Sequence, residues 1–428
     1  MNYNETLEYI HSVNWCFCKP GLERIGELCK ALGNPQDSLK FIHVAGTNGK
    51  GSFCSMISSV LAKSGYKVGT FTSPYVLRFN ERMAVNGEDI SDDELCSIIE
   101  RIKPIADKMA DKPTEFELIT AAAFLYFHEK KCDLVVLECG MGGRLDSTNI
   151  IKTPILSVIT GIALDHTAVL GETVEEIAAE KAGIIKENIP VLWCGADAGA
   201  RAVIEKKAAQ QSAPLYCTDR SNISVSEFSF SGTVLSFNEY KNVKIKLLGE
   251  YQIDNAANVL SAIDILKNIG IEISNEALYS GMESATWRSR FEIINEAPLI
   301  IVDGGHNPEG IVSAVSSIKK YFGSKKVNVL TGVMKDKDYR FIAKEISSVA
   351  KEVFCITPDN PRALKAEELS RVYKDLGISS KYFEDVQSAF FAAAKESKEH
   401  NIPLICLGSL YMYSQIHNAN QIYIKNKP

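Results

Sequence analysis

The chain has 428 residues, more than one hydrophobic core usually supports, so its length predicts two domains. Hydrophobic residues make up 46% and charged residues 23%, which is typical of folded proteins and argues against disorder. The net charge of -6 gives no electrostatic basis for a nucleic-acid partner. The first residues, MNYNETLEYIHS, lack the basic start and apolar core of a signal peptide, and no run reaches the ~18 apolar residues of a membrane span. We therefore expect a cytoplasmic protein without membrane contact.

The eleven cysteines are an odd number, and most of them lie inside apolar runs. Such placement is typical of small buried hydrophobic residues and argues against a disulfide framework. Cys16 and Cys18 stand close together, but a zinc knuckle needs a different spacing and a following Cys/His cluster. The cysteines therefore predict neither a metal site nor a redox site.

In the first two thirds of the chain, short β-rich runs alternate with longer helical ones, which predicts βα units around a mostly parallel sheet. Residues 222–247 instead alternate polar and apolar side chains, which predicts a small antiparallel patch on the edge of this domain. The predicted strands are Phe41–Ala45, Val68–Phe71, Leu134–Glu138, Ile155–Thr160 and Val191–Trp193. The predicted helices are Gly51–Ser64, Asp92–Met109, Glu117–Lys130, Val174–Lys186, Ala200–Gln211, 252–268 and 275–284.

The βα rhythm restarts after Trp287-Arg288-Ser289-Arg290, and Asn295-Glu296-Ala297-Pro298 is typical of a connector. We therefore predict an α/β protein with an N-terminal domain of residues 1–292 and a smaller, Rossmann-like C-terminal domain of residues 293–428. The predicted strands of the second domain are Leu299–Val302, Val327–Leu330, Val353–Ile356 and Leu404–Leu407. Its predicted helices are Glu309–Tyr321, Phe341–Lys351, Ala366–Leu376 and Val386–Glu399.

Residues 43–52, HVAGTNGKGS, follow a predicted strand and open a predicted helix. The three glycines let backbone N–H groups approach phosphate oxygens, the helix N-terminus adds partial positive charge, and Lys50 adds a full one. Gly51 stands where the usual phosphate loop has a metal-binding hydroxyl, so a metal ligand must come from elsewhere or from Ser52. The structural alternative is a tight glycine turn before a helix. The combination favours a phosphate-binding loop in the N-terminal domain.

Three more polar segments follow predicted parallel strands, where α/β sheets hold their ligands. They place Ser73, Glu138 and His166 beside the phosphate loop, where they could complete a magnesium site. The structural alternatives are a capping serine, a surface glutamate and a core histidine. Lys181 lies on a predicted helix among small apolar residues, and its composition alone predicts a solvated lysine.

A series of motifs in a fixed order resembles the folylpolyglutamate synthase/dihydrofolate synthase branch of the Mur ligase superfamily. The resemblance spans nearly the whole chain, from the lead-in GLERIGELCKALGNP to GSLYM near the C-terminus. Gly51 after the lysine also favours this branch over the cell-wall ligases, which usually have Ser or Thr there. The motifs between are HVAGTNGKGS, TSPYVLRFNERM, TEFELITAAAF, ECGMGGRLDSTN, DHTAVLG, EKAGIIK, GEYQIDNAANVLSAI, WRSRFE and DGGHNPEG.

The resemblance implies a role for each matching residue. The residues it assigns to ATP are Asn48, Gly49, Lys50, Gly51, Ser52, Asn255, Arg290 and Asp303. The residues it assigns to two magnesium ions are Ser73, Glu138, His166 and Lys181, the last as an N6-carbamylated lysine. The residues it assigns to the pterin or folate are Thr114, Glu115, Phe116, Glu117, Leu145, Asp146 and Ser147. The implied catalytic residues are Lys50, Lys181 and His306, with His306 or Asp303 as the base; a potassium requirement is left open.

The activity implied by the resemblance is an ATP-dependent ligation. A carboxylate is activated as an acyl phosphate and then joined to the amine of L-glutamate, with dihydropteroate or reduced folates as acceptors. The intact pterin-loop motifs favour a bifunctional enzyme, and the family leads us to expect a monomer. The alternatives are a synthase that only extends folates, a phosphate-loop NTPase of another class, and a non-enzymatic nucleotide-binding scaffold.

Overall fold

The computed structural model describes residues 1–12 and 21–425, so the Cys16–Cys18 pair lies outside the described residues. Two compact units are formed by the chain. The first unit comprises Met1–Ser224, Ser236–Lys244 and Asn255–Ala285, and the second comprises Val225–Leu235, Ile245–Asp254 and Thr286–Pro428. The predicted boundary at residue 292 assigned residues 225–235 and 245–254 to the first domain, whereas the structure groups them with the second.

The main sheet of the first unit is mixed and mostly parallel. Its strands run in the order β4-β3-β2-β5-β1-β6-β7-β8, with only β3 and β4 paired antiparallel to their neighbours. The strands are β1 Phe41–Ala45, β2 Val68–Phe71, β3 Met83–Val85, β4 Glu88–Asp89, β5 Leu134–Glu138, β6 Leu156–Ile159, β7 Val191–Trp193 and β8 Leu215–Cys217. Strand β1 lies between β5 and β6, so the loops after these three strands leave the sheet side by side.

Helices cover both faces of this sheet, which explains why central strands such as β1 and β5 are buried along their whole length. The helices are α1 Tyr3–Ser12, α2 Glu23–Ala31, α3 Lys50–Lys63, α4 Asp92–Ala106, α5 Glu115–Glu129, α6 Thr167–Leu170, α7 Val174–Ala182 and α8 Ala198–Gln210. One apolar cluster joins α1, α2, α4 and α5 to the sheet, and another packs α7 and α8 against β6 and β7. Capping boxes at Ser91, Thr114 and Thr173 fix the starts of α4, α5 and α7.

The predicted antiparallel patch is a separate small sheet in the order β11-β10-β9. Its strands are β9 Ile223–Ser229, β10 Gly232–Phe237 and β11 Tyr240–Ile245, followed by α9 Tyr251–Asn268 and α10 Asn275–Ser284. Two residues separate each strand from the next, and connections that short join antiparallel neighbours. Helix α10 packs on α3 so closely that a Cβ on Gly281 would lie 2.4 Å from the Cα of Val60.

The second unit has its own α/β layers around the sheet β12-β13-β17-β14-β15-β16, in which β12 is antiparallel to β13 and the other pairs are parallel. The strands are β12 Glu292–Glu296, β13 Leu299–Val302, β14 Val327–Thr331, β15 Ala350–Cys355, β16 Ser379–Tyr382 and β17 Leu404–Leu407. The helices are α11 Pro308–Phe322, α12 Tyr339–Ser347, α13 Ala366–Asp375, α14 Val386–His400 and α15 Tyr413–Lys425. The predicted two-domain α/β class is confirmed.

Two sequence predictions in this unit were wrong. The supposed connector is the end of strand β12 and a turn, in which the Asn295 side-chain amide donates to the carbonyl of Pro298 at 2.6 Å. An edge strand pairs with the sheet on one flank only, so it can contain polar residues. These polar residues led to the wrong prediction of a connector. The helix predicted to reach Lys351 ends at Ser347, and β15 begins at Ala350.

The burial that the sequence predicts for most cysteines is confirmed within the described residues. The nine that fall within the described residues are thiols, and all but Cys217 are buried. Of the helices in the described ranges, none combines the length and apolar character needed to cross a membrane.

Candidate functional site

The loop predicted to bind phosphate lies between β1 and α3, the position that the sequence predicts for it. Gly49 is the N-cap of α3 with φ of 87°, a backbone conformation that glycine adopts without strain. It has no side chain to cap the first-turn N–H groups of the helix, which leaves their partial positive charge to an incoming anion. The Lys50 ammonium folds over the loop and donates to the carbonyls of Gly46 at 3.1 Å and Thr47 at 3.4 Å. The loop thus combines a helix N-terminus with a full positive charge.

Residues outside the motif hold this loop in place. The Thr160 hydroxyl donates to the carbonyl of Asn48 at 2.8 Å, and the Thr47 N–H donates to the carbonyl of Gly161 at 2.7 Å. A Cβ on Gly46 would lie 1.7 Å from the Thr160 hydroxyl, so only glycine fits there. The role of Thr160 was not predicted, because a threonine at the end of a strand carries no distinctive signal in the sequence.

Asn255 of α9 lies against the other end of the loop. A Cβ on Gly49 would be 2.7 Å from its side-chain Oδ1, so the loop backbone and this amide are in direct contact. Asn255 is buried, with 8% of its surface exposed. The structure thus brings a residue about two hundred positions further along the chain to the phosphate loop, as the predicted ATP contact requires.

Glu138 and Ser73 meet beside Lys50. The Glu138 carboxylate is buried, its Oε2 accepts the Ser73 backbone N–H at 3.2 Å, and its Oε1 lies 3.7 Å from the Lys50 ammonium. This geometry excludes the surface-glutamate alternative for Glu138. Carboxylate and hydroxyl oxygens next to a phosphate loop are the donors that Mg²⁺ prefers, with phosphate and water completing its shell.

His166 stands apart from this buried pair in its environment. It precedes α6 with a left-handed backbone (φ 51°), its N–H donates to Asp165 Oδ1 at 2.8 Å, and its side chain is exposed, which excludes the core-histidine alternative. Across residues 1–12 and 21–425, no three His, Cys, Asp or Glu side chains form a metal-binding group. A metal role for His166 therefore stays a prediction.

Lys181 is not the solvated lysine that its composition alone predicts. Only 4% of its surface is exposed, and its ammonium donates to the Gly46 carbonyl at 2.9 Å, the same oxygen that Lys50 contacts. Burial, together with the positive charge of Lys50, lowers the pKa of Lys181 to about 7. A sizeable fraction of this amine is therefore neutral and nucleophilic near neutral pH.

The first segment predicted for the acceptor forms the start of α5. Thr114 is the N-cap, and Glu117 is buried and accepts the Thr114 backbone N–H at 2.6 Å. Glu115 pairs with the exposed His11 ring at 3.2 Å. The Phe116 ring lies against Gly140, where a Cβ would be 2.5 Å from its Cζ. Because Gly140 opens the loop toward the second predicted segment, Phe116 connects the two segments.

The second segment is organised by Asp146. Its buried carboxylate accepts the backbone N–H groups of Met141 at 2.9 Å and Thr148 at 3.0 Å, and burial raises its pKa. Ser147 is buried, whereas Leu145 is exposed and points its apolar surface to solvent. Asp146 thus fixes the loop on which Leu145 is presented.

The predicted residues of the second unit form a group of their own. Asp303 is buried and accepts three hydrogen bonds, from the Tyr251 hydroxyl at 2.6 Å, the Phe291 N–H at 3.0 Å and the Gly305 N–H at 2.8 Å. A Cβ on Gly304 would lie 2.3 Å from a terminal nitrogen of Arg290, and His306 Nδ1 lies 2.9 Å from the Gly304 carbonyl. The role of Tyr251 was not predicted, although this residue lies in the GEYQIDN motif that carries Asn255.

The histidine that begins the phosphate-loop motif has a structural environment. His43 is fully buried, its Nε2 lies 2.8 Å from the Thr148 hydroxyl and 3.1 Å from the Cys139 sulfur. Burial, and to a lesser degree the charge of Lys186, lowers the pKa of His43 to about 3 from its usual 6.5. His43 is therefore a neutral core residue.

This burial predicts an acid sensitivity. Between pH 6.5 and 3 the unfolded chain binds a proton at His43 that the folded protein excludes, so stability is lost as pH falls. The free-energy advantage of the wild type over His43→Gln should shrink by about 2 kcal/mol between pH 7.5 and 5. Urea unfolding at the two pH values measures it, with exposed His128→Gln as the control. If the difference in unfolding free energy between the wild type and His43→Gln is the same at both pH values, His43 is protonated in the folded state.

The chain matches known proteins over most of its length. Residues 44–263 match the Mur ligase middle domain, and residues 289–410 match the Mur ligase, glutamate ligase domain. The dihydrofolate synthase/folylpolyglutamate synthase of Bacillus subtilis is 39% identical over 425 residues, which cover 97% of this chain and 98% of that protein.

Solved structures match the fold over its full length. Escherichia coli FolC in complex with DHPP and ADP superposes with a TM-score of 0.87 at 29% identity, covering 100% of this chain and 99% of that one. An FPGS-AMPPCP-folate complex superposes with a TM-score of 0.85 at 34% identity, covering 97% and 98%. Those relatives thus bind an adenine nucleotide or its analogue together with a folate-type molecule.

Proposed function

Since this chain belongs to the folylpolyglutamate synthase/dihydrofolate synthase branch of the Mur ligase family, we propose that it uses ATP to join L-glutamate to dihydropteroate and to the γ-carboxylate of reduced folates. The observation that carries the proposal is the grouping of Lys50, Lys181 and Glu138 around the phosphate loop. One buried anionic side chain and two amines meet there at a helix N-terminus. Such a group fits the transfer of a phosphoryl group to a carboxylate.

The first chemical step makes the carboxylate reactive. A carboxylate oxygen of the acceptor attacks the γ-phosphorus of ATP, the bond to the β,γ-bridging oxygen breaks, and an acyl phosphate and ADP result. Lys50 and the first-turn N–H groups of α3 stabilise the negative charge of the transferring group. We also assign Asn48, Gly51, Ser52, Asn255, Arg290 and Asp303 to ATP, as the resemblance implies. Glu138 and Ser73 would hold Mg²⁺, which neutralises phosphate charge when bound.

The second step needs a neutral glutamate amine. The amine attacks the acyl carbon, phosphate leaves, and the nitrogen loses a proton to a base. We propose His306, whose Nδ1 lies 2.9 Å from the Gly304 carbonyl, or the buried carboxylate of Asp303 as this base.

Lys181 is proposed to be carbamylated. A neutral amine adds to CO₂ and loses a proton, and the lowered pKa makes this reaction possible near pH 7. The product carries a negative charge next to Lys50 and would replace the repulsion between the two ammonium groups by attraction. With His166, this carbamate would serve the second magnesium ion.

The carbamate predicts a dependence on CO₂. Enzyme equilibrated in CO₂-depleted buffer should lose most of its activity and regain it with bicarbonate, and ¹³C-bicarbonate should produce a carbamate NMR signal. Lys181→Met should abolish the signal, whereas Lys186→Met, at a lysine whose ammonium donates to the Asn149 carbonyl at 3.2 Å, should retain it. Full activity without CO₂ and no carbamate signal would refute the modification.

Phosphate release tests the proposed function itself. It is measured with ATP and Mg²⁺ in the presence of dihydropteroate or tetrahydrofolate, each with and without L-glutamate. Glutamate-dependent release with both acceptors establishes the bifunctional enzyme, and release with tetrahydrofolate alone leaves only chain extension. Phosphate release that depends neither on glutamate nor on either acceptor would favour a phosphate-loop NTPase. Because one chain supplies all the proposed residues, we propose a monomer, which sedimentation during turnover can check.

A further inference from the structure

A buried arginine ties helix α2 to the start of helix α5. The Arg24 side chain is only 8% exposed, its Nε donates to Glu117 Oε2 at 3.0 Å, and one terminal nitrogen donates to Asp111 Oδ2 at 3.2 Å. Asp111 lies in the segment that leads from α4 into α5, and Glu117 lies in the first turn of α5. One guanidinium thus spans the entry to α5 from both sides, a geometry that its fixed fork of donors allows.

The carboxylate that Arg24 contacts also sets the start of the helix. Glu117 Oε2 accepts the backbone N–H of Thr114 at 2.6 Å, and the Thr114 hydroxyl accepts the backbone N–H of Glu117 at 3.2 Å. This capping box fixes where α5 begins and therefore the direction of residues 114–116. Since Arg24 and Thr114 share one oxygen of Glu117, a shift of the guanidinium moves the N-cap directly.

The start of α5 also contacts the segment that contains Gly140. The Phe116 ring lies against Gly140, and Phe116 also contacts the Phe71 ring at a centroid distance of 5.9 Å. A displacement of the first turn of α5 would therefore separate Phe116 from the loop that Asp146 organises. Both segments assigned to the acceptor depend on this contact.

We infer that Arg24 is a positioning residue for the acceptor site: through Glu117 it holds Thr114 and Phe116 in the orientation that receives the pterin or folate. The inference rests on the proposed function, because it takes the acceptor to bind at these segments. Arg24 donates to Glu117 and Asp111, and on this inference it acts through Glu117 on the binding of one substrate only. A purely structural arginine would instead affect all substrates in proportion to the loss of folded protein.

Kinetics of two variants separate these roles. Arg24→Gln removes the charge and the fork, and it should raise the KM for the folate acceptor roughly tenfold, since an ångström-scale misplacement of a binding group is costly. The KM values for ATP and glutamate should stay within about twofold of wild type, because the phosphate loop rests on other contacts. Arg24→Lys keeps the charge, but an ammonium group has no planar set of donors that can reach both Glu117 and Asp111. This variant should therefore restore the acceptor KM only in part.

A matched control lies at the other end of α5. Arg101 of α4 donates at 2.5 Å to Glu129, an exposed residue at the end of α5. Arg101→Gln therefore removes an arginine–glutamate pair that involves α5 but lies far along the helix from Thr114 and Phe116. It should leave all three KM values unchanged. A wild-type acceptor KM in Arg24→Lys, or equal rises of the acceptor and ATP KM values in a folded Arg24→Gln, would overturn the inference. Glutamate-dependent phosphate release by the wild type is read separately, so failure of the proposed function would not be confused with either result.

Discussion

Lys50→Met should lower the rate of glutamate-dependent phosphate release by roughly 10³-fold, since a preorganised charge at a transferring phosphoryl group is among the largest catalytic effects. The Lys50 ammonium contacts the carbonyls of Gly46 and Thr47 and lies 3.7 Å from Glu138. Methionine keeps the length and apolar stem of the side chain but supplies no charge. The fold should therefore persist while the phosphoryl transfer is lost.

The measurement is kcat at saturating ATP, acceptor and glutamate, together with the unfolding temperature. Lys63→Met is the matched control, because Lys63 is an exposed lysine in the last turn of the same helix α3. It should retain wild-type activity. If the kcat of Lys50→Met lies within tenfold of the wild-type value, the phosphate loop has no catalytic role.

Glu138→Gln should lower kcat by about 10²-fold or more and shift the Mg²⁺ dependence to higher concentration, since a metal site loses its charged ligand. Glutamine has the shape of glutamate, and its carbonyl can still accept the Ser73 N–H that Glu138 now accepts at 3.2 Å. The lost negative charge, however, was the partner of Lys50 in a buried position. Catalysis should therefore suffer more than folding.

Magnesium titrations of kcat for wild type and variant provide the test. Glu205→Gln is the control, because Glu205 forms an exposed pair with Arg201 one turn earlier on α8. Its Mg²⁺ curve should overlay that of the wild type. If the Glu138→Gln curve also overlays it, the metal is held by other residues.

The sequence by itself determined the elements that depend on local pattern. A run such as Leu134–Glu138, apolar almost throughout, is typical of a strand covered on both faces, and the structure buries it completely. The glycines and lysine of residues 46–50 require a turn into a helix, which is where Gly49 and α3 lie. Because the order of the motifs extends over almost the whole chain, it also identified the family, which the domain matches confirm.

Strand order and burial were decided only by the tertiary structure. Polar residues at β12 suggested a connector, because a sequence does not show that an edge strand pairs on one flank only. The sequence also predicted a solvated Lys181, because it does not show which distant residues bury a side chain. Its pKa near 7 arises mainly from burial and then from the positive charge of Lys50, which is about 130 positions away in the chain.

The same distinction applies to the residues that support the site. The residue types of Thr160, Tyr251 and Arg24 do not by themselves indicate a role at the site. Each gains its role through a partner that the fold brings to it, namely Asn48, Asp303 and Glu117. Spacing along the chain reveals groups that must be neighbours on one loop or helix. Contacts between distant segments depend on how sheets and helices pack, and for these residues packing decided which hydrogen bonds exist.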